Sequence, residues 1–106
     1  MSIDYTVDRA KWDRLDIFNQ MGNIYSEVGR SFKSMGPDRY QAMTRAIDLF
    51  DATAESLAKT KSPKLKEVLR AKEEYLKLIT DTGHNQLGEK SLDNYFMHFA
   101  IAARLH

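Results

Sequence analysis

The chain has 106 residues, 16 basic and 15 acidic side chains, a formal charge of +1 and no cysteine. That length sets one domain, residues 1–106, with enough material for its own core. The absence of thiols excludes disulfides and thiolate metal sites, and the charge balance lacks the footprint of a dedicated nucleic-acid binder. The stretch Met1–Thr6 has neither a basic start nor an apolar run. No signal peptide is therefore expected, residues 1–7 are expected to be loose, and a soluble cytoplasmic protein without a membrane span is the reading.

The spacing predicts a first helix over residues 8–34. On a heptad, Leu15, Gly22 and Gly29 share one position and Phe18, Tyr25 and Phe32 the next, with Ile17, Met21, Ile24 and Val28 flanking them. An apolar arc that wide requires at least two neighbours. Gly22 and Gly29 each cost about 1 kcal/mol relative to Ala within a helix. The preferred reason is close approach of a facing helix or aromatic ring, with a ligand groove as the alternative. Beside them Asn23, Glu27 and Arg30 form a polar cluster, either a solvated arc or a recognition patch for a carboxylate, phosphate or backbone group.

Gly36-Pro37 closes this helix, and Asp38 with Gln41 is expected to cap a second over 38–59. Met43, Ala46, Ile47, Phe50, Ala54 and Leu57 mark its buried face. Asp48 and Asp51 read as a solvated acidic face, and Glu55 with Lys59 as a favourable four-residue pair. Ser62-Pro63 restarts the chain for a third helix over 63–80. Its buried face is expected to hold Leu65, Val68, Leu69, Leu76 and Ile79. Seven cations lie between Lys59 and Lys77. Lys64, Lys66 and Arg70 among them are the candidate anion-binding residues, although a solvated face is the simpler account.

Residues 81–90 form the longest loop, and Ser91 caps a last helix over 91–105. Leu92, Tyr95, Phe96, Phe99, Ala102 and Ala103 make one face, while Met97, Ile101 and Leu105 fall largely on another. So apolar a terminal helix must be covered or must dock on another protomer. Tyr95, Met97, Phe99, Ile101 and Leu105 are thus the candidate interface of a homodimer or higher homo-oligomer. The fold expected is all-α, a four-helix bundle with up-down connectivity.

No constellation of residues points to catalysis, a cofactor or a metal. Neither Glu-x-x-His pairs nor a His-Glu-x-x-His run occurs around His84, His98 or His106. Arg104-Leu105-His106 has the wrong spacing for the Arg and His pair of small helical ribonuclease domains. Three phrases resemble a family of small all-helical prokaryotic proteins: Leu15–Ile24 with Ser26-Glu27-Val28, Arg45–Asp51, and Tyr95-Phe96 with Phe99-Ala100 and Ala102–Arg104. That resemblance implies a helical fold and brings no activity, ligand or site.

The leading functional expectation is a non-enzymatic, self-associating bundle that binds a protein partner. A nucleic-acid-binding accessory protein using segment 59–77 is the alternative. A hydrolase or nuclease with its site near His98 and Arg104 is the second alternative.

Overall fold

Asp8 lies in extended backbone, and its carboxylate accepts from the amides of Ala10 and Lys11. Those amides open a helix and lack partners within it, so the chain turns helical here. The computed structural model describes residues 6–80, 90 and 92–97. Its first helix, α1, spans only Arg9–Asp13. The single helix expected over 8–34 is in fact two. After a bend at 14–16, α2 covers Ile17–Lys33, and Asp16 caps it by accepting from the Asn19 amide at 2.8 Å.

The break is stabilised by groups that hydropathy does not weigh. The Gln20 side-chain amide is buried and donates to the Trp12 carbonyl at 3.0 Å and the Leu15 carbonyl at 3.1 Å. The Trp12 carbonyl also accepts from the Leu15 amide at 3.0 Å, so Gln20 adds a second bond there and gives the Leu15 carbonyl in the bend a partner. Trp12 turns into the core, its indole N–H donating to Thr53 Oγ1 at 2.9 Å. Leu15, placed by the heptad on the apolar stripe, instead lies exposed at the bend.

Two residues, Ser34 and Met35, connect α2 to α3, which runs Gly36–Lys59. Gly36 adopts φ +61°, a left-handed conformation that only glycine takes at little cost. Asp38 does not cap this helix. The capping position is Met35, with no side-chain bond. Pro37 in the first turn removes one of the amides that would need a partner. Lys61, at φ +53°, turns the chain out of α3, and Ser62 Oγ accepts from the Lys64 amide ahead of α4, Leu65–Thr80.

Cross-helix contacts fix how α4 lies. Lys72 reaches Asp51 at 2.6 Å, and the Arg39 guanidinium near the start of α3 donates to the Ile79 carbonyl near the end of α4. The two helices therefore run antiparallel. Residues 92–97 are helical again (α5), with Leu92 and Phe96 buried one turn apart.

The core is one contiguous cluster drawn from all five segments. Met21, Ile24 and Val28 of α2 meet Ala46, Leu49 and Phe50 of α3 and Val68, Ala71 and Tyr75 of α4. Phe96 closes it, stacking on Tyr25 at 5.4 Å between ring centroids and leaning on Phe50 at 6.2 Å. Such offset ring pairs add stabilisation beyond the area they bury. Leu69 is not part of this core and is 41% exposed. Val68, Ala71, Tyr75 and Ile79 centre the buried arc, which turns Leu69 toward water. The described residues are all-α and contain no strand.

Candidate functional site

Along its outer side α2 leaves a groove of about 470 Å³, lined by Tyr25, Ser26, Gly29, Arg30, Lys33 and Asp93. Helical geometry assembles it. Ser26, Gly29, Arg30 and Lys33 recur at three- and four-residue steps and share one side of α2, while Asp93 comes from α5. Ser26 Oγ donates to the Gly22 carbonyl at 3.2 Å. No described atom comes within 4 Å of where a Cβ would stand on Gly22 or Gly29. The close-packed facing helix expected at these glycines is therefore absent among the described residues. Open space lies there, with a groove over Gly29.

The groove has two electrical halves. Arg30 and Lys33 bring positive charge, and Asp93 brings negative charge. Burial pushes the Tyr25 phenol up from its ordinary range, and the neighbouring Asp93 carboxylate pushes it further. The phenol thus stays a neutral donor.

The expected polar patch is only partly assembled. Arg30 pairs with Glu27 at 3.2 Å, whereas the Asn23 amide donates back to the Asn19 carbonyl at 2.9 Å and stays apart from them. Glu27 Oε2 is buried without a hydrogen-bond partner among the described residues.

The basic segment is divided in the same way. Lys72 and Lys59 bridge to Asp51 and Asp13, Lys77 sits 3.9 Å from Glu74, and the Lys64 ammonium lies 5.6 Å from the centre of the Phe18 ring. Lys66 and Arg70 face solvent.

Asp48, Asp51 and Glu55 of α3 are ion-pair acceptors rather than a solvated face. Arg9 spans Asp48 and Glu55, at 3.1 Å to each, and the Val7 amide donates to Asp48 at 2.7 Å. The Glu55 to Lys59 pair is not formed, because each residue takes a partner from α1. Charge spacing within one helix could not reveal these cross-helix partners.

Of the candidate interface, Tyr95 is half-buried and meets Phe96 edge-on at 5.5 Å. Burial pushes its phenol up to about 12, with Glu67 adding to the effect. Met97 is exposed. Phe99, Ile101 and Leu105 lie outside the described residues, as do His84, His98, Arg104 and His106.

Sequence reasoning did not find Lys33 and Asp93 as parts of a site. The one available signal was the seven-residue spacing of Gly22 and Gly29. Among the described residues no three His, Asp or Glu side chains converge to hold a metal ion, and no helix is long and apolar enough to cross a membrane. No protein-family model, curated protein or solved structure matches the chain.

Proposed function

We propose that the chain is a non-enzymatic, self-associating helical protein that presents a fixed surface to a protein partner. The observation that supports this reading is what remains outside a filled core. Phe50, Tyr75, Met21 and Ile24 are fully enclosed, yet Met35, Tyr40, Leu69 and Met97 stand in water. Large exposed apolar side chains of this kind are what an interface uses.

In this reading segment 91–105 completes a four-helix bundle of up-down connectivity in the cytoplasm. Leu92 and Phe96 anchor that segment inward, and Met97, followed in sequence at four-residue steps by Ile101 and Leu105, supplies an outer stripe. Tyr95 and Phe99 flank it. The nucleic-acid reading is the weaker one, because Lys59 and Lys72 are committed to carboxylates within the fold.

Light scattering during gel filtration tests the proposal. The expected mass is an integer multiple of 12.2 kDa that falls on dilution. A mass of 12.2 kDa independent of concentration overturns it.

A further inference from the structure

The connection between α2 and α3 projects an apolar knob. Met35 is 85% exposed and Tyr40, in the first turns of α3, is 58% exposed. Asp38 stands between them, also exposed and without an ion-pair partner among the described residues. So exposed a methionine side chain buries little area against its own fold.

The groove over Gly29 has the complementary features. It is large enough for an unbranched side chain, its floor has no Cβ at Gly29, and Tyr25 supplies an apolar wall. Its basic half, contributed by α2, is Arg30 and Lys33, and Asp93 of α5 makes the acidic half. Lys33 has no ion pair among the described residues, and Arg30 keeps guanidinium donors beyond the one given to Glu27.

We infer that a second copy of this chain occupies the groove, with Met35 of one protomer seated over Gly29 of the other and Asp38 facing Lys33 and Arg30. The inference rests on the self-association proposed above and names the surfaces involved. A second copy is the occupant because knob and groove lie on one chain. Met35 follows Lys33 by two residues, so both halves sit at the same end of α2. Two such halves brought together reciprocally make a closed, twofold contact. Methionine suits the role, since its flexible thioether fills irregular apolar space. Asp38 against a basic wall then fixes the register of approach.

The test uses the full chain. Having no cysteine, it takes a single nitroxide label at Pro37→Cys, an exposed position beside the knob that leaves Met35 in place. Labelled chain is mixed with ¹⁵N-enriched unlabelled chain, and amide signals are recorded before and after the nitroxide is reduced. Expected is selective, reversible loss of intensity at Ser26, Gly29 and Arg30. In parallel, Met35→Lys and Gly29→Leu should lower the mass of the assembly, while Asp38→Lys should raise its dissociation constant roughly fivefold to tenfold. Adding Lys33→Asp to Asp38→Lys should restore association.

Assembly at full mass in all these variants, with even signal intensities across α2, overturns the inference and leaves self-association standing. A wild-type mass of 12.2 kDa overturns both. The even-intensity result keeps the test decisive if a variant fails to fold.

Discussion

Tyr75 is fully enclosed between α2 and α3, and its hydroxyl donates to Ser31 Oγ at 2.7 Å. The Ser31 hydroxyl in turn donates to the Val28 carbonyl, also at 2.7 Å. The two members of this chain are not equivalent. Ser31→Ala strands a buried phenol and should cost about 1–3 kcal/mol, whereas Tyr75→Phe removes the donor together with its need and should cost about 0.5–1.5 kcal/mol. Urea unfolding of the two variants checks that order, and a costlier Tyr75→Phe would contradict it. Burial also pushes the Tyr75 phenol from 10.0 up to about 12. In the unfolded chain the phenol ionises near 10, so between pH 10 and 12 the folded state holds the extra proton. The stabilisation is complete below pH 10 and fades as pH rises toward 12. The urea midpoint of the wild-type protein should therefore fall over that window, and that of Tyr75→Phe should fall less. Neither Ser31 nor Thr53 stood out in the sequence, because a single hydroxyl on an apolar face looks like noise until its partner arrives from 44 or 41 residues away.

At the scale of the helices, α2 carries two interior glycines that the protomer does not use for packing. Neither has a positive φ, and an added methyl at Gly22 meets no described atom within 4 Å. Gly22→Ala should accordingly stabilise the chain by about 0.5–1 kcal/mol, read as a higher urea midpoint at unchanged slope. A loss of stability would show that something does sit against that glycine. The same helix shows what periodicity can and cannot convey. The helical character of 17–33, 36–59 and 65–80 was legible from three- and four-residue apolar spacing and from Gly36-Pro37 and Ser62-Pro63. The bend at 14–16 was hidden because the apolar phase runs through it undisturbed, while the causes are polar: Asp16 holding an amide and Gln20 holding two carbonyls. Leu69 is hydrophobic enough to read as core, but the buried arc centres on Val68, Ala71, Tyr75 and Ile79 and leaves it at the edge. The groove was half legible, since Gly29 and Arg30 were both singled out but Asp93 reaches them only through the tertiary fold.

For the whole molecule, charge is spent on holding helices together. Arg9 and Lys59 join α1 to α3, and Lys72 joins α4 to α3. Partly exposed pairs of this kind contribute up to about 1 kcal/mol each and weaken as salt rises. Of the three candidate anion-binding residues, Lys66 and Arg70 face solvent, on a chain of net charge +1. The protein should pass through heparin at about 0.15 M salt without retention. Salt-sensitive retention abolished by Lys66→Glu with Arg70→Glu would reinstate a nucleic-acid role.

The lone indole of the chain offers an unplanned convenience. Trp12 is anchored on a five-residue helix whose attachment depends on Arg9, Gln20 and Thr53, so its light emission reports one local event and not only global melting. If the opening segment swings away while the remaining coils stay packed, the colour of that emission will shift toward red well before circular dichroism registers any change. The molecule thus comes with its own optical gauge for the docking of its first turn.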